Sequence, residues 1–125
     1  MKRIEDRWIR RPKWMDWERM MIYIDEDGKA KMAKDAPGVI QKLLPEAVEV
    51  ESAILQQPEV MLRIKGRRKR KNRVATAICG KNVNGPVLIC RIQLDDYGEP
   101  EWVGMSAEEA GRWVGKLVKI KRSLK

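Results

Sequence analysis

The sequence predicts an α+β domain: a mostly antiparallel sheet of five to seven strands, a C-terminal helix packed on one face, and one short additional helix. Three observations carry that expectation. Neighbouring runs such as AVEVESAIL and VMLRIK alternate apolar with polar residues, the period of a half-buried strand. Turn signals rich in Gly, Asn and Asp separate the runs at short intervals. The last twenty residues instead repeat their apolar positions at helical spacing behind a capping pair. At 125 residues the chain is expected to form a single domain, 1-125, with one core.

Taken in order, residues 1-19 form a basic, Trp-containing segment in which RIEDRWIRR suits a helical turn or two before Pro12. RMMIYIDEDGKAKMA reads as a hairpin, with strand formers from Met20 to Ile24 and a tight turn at Asp27-Gly28. In DAPGVIQKLLP, Asp35 is the expected cap of a short helix over 36-44, with Pro37 in its first turn and Val39, Ile40, Leu43 and Leu44 on one face. The two alternating runs that follow are an expected antiparallel pair, setting Glu49 and Glu51 across from Arg63 and Lys65. RVATAICG is a short buried segment, strand or helix. NVNG is a turn, PVLICRIQL the most hydrophobic stretch and hence a central strand, and EWVGM a further strand beyond the acidic turn DDYGEP. In the final helix, Ser106 and Glu109 make a capping box and Ala110, Trp113, Leu117, Ile120 and Leu124 share the docking face. Lys116, Lys119, Lys121 and Arg122 suit the negative end of its dipole, while Gly111 and Gly115 weaken it and are expected to allow close approach to a strand.

The charge is unevenly placed. The net charge is +9, yet the stretch from Val60 to Leu94 holds ten Lys or Arg and no Asp or Glu, so the other ninety residues sum to −1. Within it KGRRKRKNR, residues 65-73, puts seven cations in nine positions. Neighbouring like charges repel, so such a block is solvated or engaged with an anionic partner. A localised basic field of this kind suits nucleic acid or an acidic protein surface. The candidate binding residues are Arg67, Arg68, Lys69, Arg70, Lys71 and Arg73, flanked by Lys65 and Arg63.

Much chemistry is excluded by composition. The absence of His removes imidazole acid–base catalysis and mixed Cys/His zinc sites, and two cysteines cannot form a four-thiolate site. Cys79 and Cys90 are expected as buried, reduced thiols. Ser52, Thr76, Ser106 and Ser123 are the only hydroxyl nucleophiles of their type and none lies in a nucleophile elbow. No Gly-rich phosphate loop precedes a helix. The carboxylates of Asp25, Glu26 and Asp27, and of Asp95 and Asp96, lie in turns, where acidic residues favour the turn itself. The expectation is a protein that is not an enzyme and takes no cofactor or metal.

Trp102 and Trp113 fall on a strand and on an apolar helix face, hence in the core. Trp14 and Trp17, with Trp8, lie among Arg7, Arg10, Arg11, Lys13 and Arg19. Aromatics among cations can stack bases while the cations track phosphates. In a chain without Phe they also serve as core or as a hydrophobic lid.

Residues 72-105, through Asn72-Arg73 with Ala75-Thr76, the Gly85-Pro86-Val87-Leu88-Ile89 strand entry and the acidic turn before EWVGMSAEEA, resemble a small domain family of phage, plasmid and conjugative-element genomes. The resemblance covers about a quarter of the chain. In place of the family's Gly-Lys-Leu-like stretch before the Asn-Arg pair stands the basic RRKRK run. The resemblance implies a gene carried by a mobile element and brings no catalytic residues. The functional expectation is therefore a non-enzymatic basic binding protein of the host cytoplasm that engages RNA or DNA, as an anti-CRISPR-type inhibitor of a nucleic-acid-binding nuclease. Its local charge has the wrong sign for a DNA mimic. A module docking its basic loop on an acidic protein surface is the second reading, and a metal-dependent nuclease built on the acidic turns is the third. No apolar run approaches the roughly eighteen residues that span a bilayer, and the N-terminus lacks the apolar core of a secretion signal.

Overall fold

The computed structural model describes residues 19–51, 59–66 and 70–124. Its α+β architecture is a seven-stranded antiparallel sheet carrying three helices. In chain order the elements are β1 (Arg19–Ile24), β2 (Ala30–Lys34), α1 (Val39–Leu43), β3 (Val48–Glu51), β4 (Glu59–Ile64), α2 (Arg73–Cys79), β5 (Val87–Leu94), β6 (Pro100–Val103), β7 (Met105–Ser106) and α3 (Ala107–Ser123). The main strand order is β2-β1-β5-β4-β3, so the hydrophobic PVLICRIQL stretch does lie at the centre.

At one end β5 pairs with β1 through Ile22↔Ile89 and Ile24↔Val87; at the other it pairs with β6 through Arg91↔Val103 and Leu94↔Pro100. β1 and β5 thus diverge, and the β6–β7 arm fills the wedge, its last residues pairing with β1 as Arg19↔Ser106 and Met20↔Met105. Gly104 sits at the bend. A Cβ there would lie 2.8 Å from the backbone N and O of Met20, so only glycine permits the two backbones to approach this closely. Asp35 Oδ2 accepts the Gly104 amide at 2.7 Å. That contact corrects the expectation for Asp35: it ties down the arm, and α1 starts instead after Gly38, in a left-handed conformation with no side-chain cap.

Both faces of the sheet are covered. On one, Ile22, Ile24, Met61, Val87 and Ile89 pack against Val74 and Ala75 of α2 and Ala110, Trp113 and Leu117 of α3. On the other, Met21, Leu62, Ile64, Leu88 and Cys90 pack with Leu44 and the half-buried Val39, Ile40 and Leu43 of α1. The C-terminal helix docks as its periodicity predicts, with the Ser106–Glu109 capping box formed in both directions. RVATAIC resolves as a helix because Asn72 caps its start and Gly80, at φ 78°, closes its end. Gly111 and Gly115 face open space with nothing within 4 Å of a built Cβ, so they do not serve close packing.

Glu49 lies opposite Arg63 as expected, but Glu51 lies opposite Met61, and Lys65 pairs with neither. The Lys65 amide instead donates to the carbonyl of Ala47. The free thiols sit on opposite faces: Cys90 is fully buried in the α1 cluster and Cys79 half-buried against the other. Burial pushes Cys90 up to about 12 and Cys79 up to about 11, the latter with help from Glu51.

Candidate nucleic-acid interface

The basic run leaves β4 at Ile64 and ends on α2. Its two ends are held by different means. Lys65 and Gly66 are exposed, and Gly66 turns the chain at φ 91°. Arg67, Arg68 and Lys69 lie outside the described residues, as do Trp14 and Trp17. Arg70 and Lys71 are exposed; Lys71 forms an isolated antiparallel bridge with Asn84. Asn72, which interrupts the charge in the sequence, is fully buried and anchors the run. Its Nδ2 donates to the carbonyls of Asp25 (3.1 Å) and Gly85 (2.9 Å), and its Oδ1 accepts the Ala75 amide (3.1 Å). One side chain therefore joins the β1–β2 turn, the 81–86 segment and the start of α2. Thr76 adds a second stitch: its Oγ1 accepts the Val83 amide at 3.0 Å.

Two arginines reach outward from this anchor. Arg70 pairs with Asp27 of the β1–β2 turn, both side chains mostly exposed. Arg73, exposed at the first position of α2, donates Nη2 to the carbonyl of Leu124 at 2.7 Å and so clips the end of α3 beside the basic run. Sequence reading does not see this meeting, because Arg73 and Leu124 are 51 positions apart.

Arg63 behaves differently. It points from β4 to the face that carries α2 and α3, where it pairs with Glu49 and, at 2.8 Å, with Glu51. Lys81 also reaches Glu51, at 2.7 Å. Burial acts to raise the Glu51 pKa, but the hydrogen bond and charge of Lys81, then Arg63, outweigh it and hold the carboxyl below its ordinary value. Arg63 is thus neutralised within the fold and is separate from the exposed cations of 65–73. Arg91 is similarly engaged, bridging Glu59 at 2.9 Å and Glu109 at 2.6 Å.

The acidic turns show what their carboxylates do. Asp25 Oδ1 accepts the amides of Asp27 and Lys29, each at 2.9 Å. Asp95 Oδ1 accepts those of Tyr97 (2.8 Å) and Glu99 (2.9 Å) in the same manner. Each turn then closes on a glycine, Gly28 at φ 87° and Gly98 at φ 79°. These carboxylates hold turns, and among the described residues no three His, Cys, Asp or Glu converge as cation ligands. Among the same residues no helix is long and apolar enough to cross a membrane. Comparison of the chain with protein-family models, curated proteins and solved structures gives no match.

Proposed function

We propose that this is a non-enzymatic binding protein that grips nucleic acid through the cations of residues 65–73. The observation that carries the reading is the rigid display of the run's C-terminal half. Buried Asn72 fixes its base, while Arg70, Lys71 and Arg73 stand exposed around it. Like charges crowded on a pinned segment repel, and an anionic polymer relieves that repulsion. The Arg70–Asp27 pair is exposed on both sides, and such pairs contribute at most about 1 kcal/mol, so a phosphate can take the place of Asp27 at small cost. Phosphate contacts position a strand without specifying its sequence, so preference among sequences is expected to be weak.

The resemblance of residues 72-105 to a mobile-element family extends the reading to an inhibitor of a nucleic-acid-guided nuclease, acting in the host cytoplasm by holding the guide or target strand. Fluorescence anisotropy with labelled mixed-sequence RNA and DNA tests the binding step. Saturable binding that weakens steeply with salt is expected. No binding at low salt, together with binding to an acidic protein surface, would move the function to protein docking.

A further inference from the structure

We infer that a groove between the β1–β2 turn and the C-terminal end of α3 is a binding site for one or two nucleotides of a single strand, an inference that rests on the nucleic-acid reading above. The groove has a volume of about 480 Å³ and is lined by Gly28, Lys29, Ala30, Val118, Lys121 and Arg122. Sites of a few hundred Å³ hold small organic ligands. Its chemistry is divided in the way a nucleotide needs. Lys29, Lys121 and Arg122 supply cations, and among the described residues none of the three is ion-paired with a carboxylate. Ala30 and the partly exposed Val118 supply an apolar wall.

Two arginines of the basic run fix the elements that form the groove. Arg73 holds the α3 terminus through the Leu124 carbonyl, and Arg70 holds the β1–β2 turn through Asp27. Gly28 is part of the same construction: a Cβ there would stand 2.7 Å from Val74 Cγ2 and 3.9 Å from Lys121 Cδ, so the turn and both helices meet at this point. Of the turn's carboxylates, Asp25 accepts two backbone amides and Asp27 pairs with Arg70. The carbonyl end of α3 disfavours an anion, and Arg73, Lys121 and Arg122 offset it. An apolar wall beside cations suits an unpaired base and its sugar on the wall with phosphates on the cations. A paired base is not free to lie there, so the ligand class is single-stranded nucleic acid.

The test is anisotropy with a labelled single strand of about 16 nucleotides, within the span one small domain covers, beside a duplex of equal length. Parent protein is compared with K121Q/R122Q, with Val118→Glu and with R70Q/K71Q; circular dichroism and melting confirm that each folds. The single strand is expected to bind more tightly than the duplex. K121Q/R122Q should lose about tenfold in affinity and flatten the log–log salt slope by about 1.4, two phosphate contacts on a single strand. Val118→Glu should weaken the single strand more than the duplex. Parental affinity and slope in K121Q/R122Q, with loss in R70Q/K71Q, would overturn the groove and leave the basic-run reading standing. A duplex bound as tightly as the single strand would overturn the ligand class. No binding by the parent would overturn both.

Discussion

Asn72 carries more of the site than any cation around it. Three hydrogen bonds converge on one buried amide. Replacing it with Ala removes a helix cap, worth about 0.5–2 kcal/mol. It also strips a partner from two carbonyls, at a cost of about 1–3 kcal/mol where these are buried. Asn72→Ala should therefore destabilise the fold by about 2–4 kcal/mol in a denaturant titration, a loss far above that of any single exposed cation in the run. The thiols give a second residue-scale expectation. With Cys90 pushed up to about 12 and Cys79 up to about 11, both are protonated at neutral pH. A thiolate-directed reagent should label the native protein far more slowly than the unfolded chain, Cys90 the slower of the two. Labelling of Cys90 at the unfolded rate would contradict its burial.

At the scale of elements, α3 is built well but not to the limit of its stability. Gly111 and Gly115 face solvent in its interior, where Gly costs about 1 kcal/mol relative to Ala. Gly111→Ala and Gly115→Ala should each raise the melting temperature, since neither new methyl meets a neighbour. The start of α3 also sets a pH response. The Glu109 carboxyl is held below its ordinary value of 4.5, first by its hydrogen bond from Arg91 and then by Ser106. The unfolded chain then takes up the proton more readily than the folded one. That contribution is complete above about pH 4.5 and is lost as pH falls through the lower folded value. Acid titration of Glu109→Gln should show a shallower loss of stability than the parent over that window.

The elements legible in the sequence were those with local causes: the Asp27-Gly28 hairpin, the alternating pair of β3 and β4, and the capped, periodic α3. What was not legible depended on distant contacts. Asp35 looks like a helix cap locally, yet its carboxylate finds the Gly104 amide 69 positions away. Gly111 and Gly115 suggested close packing, but only the tertiary arrangement shows which side of α3 they take. Of the candidate site, the sequence supplied the concentration of charge, while the inward turn of Arg63 and the meeting of Arg73 with Leu124 depended on the fold.

Among the described residues the charge is shared unequally between the two ends of the sheet. Ile24, Ala30, Ile64 and Val87 mark one end of the sheet, where Lys29, Lys65, Arg70, Lys71 and Arg73 gather with the Lys121–Arg122 end of α3 and outnumber the Asp25, Glu26 and Asp27 carboxylates of the β1–β2 turn. At the other end lie Asp35, the Asp95–Glu99 turn and the acidic start of α3 at Glu108 and Glu109. Such a polar arrangement orients an approaching polyanion toward the basic end before contact. The direct test of that end as a nucleic-acid grip is the salt dependence of binding, measured on the parent beside a variant with Arg67, Arg68, Lys69, Arg70 and Lys71 all changed to Gln. The parent should show a log–log slope of roughly −4 on a single strand or −4 to −5 on a duplex, from five or six neutralised phosphates. The variant should lose most of its affinity and most of that slope, with stability changed by no more than about 1 kcal/mol, the most that an exposed pair such as Arg70–Asp27 contributes. Unchanged affinity with an unchanged slope would contradict the account and leave the run a solvated surface segment.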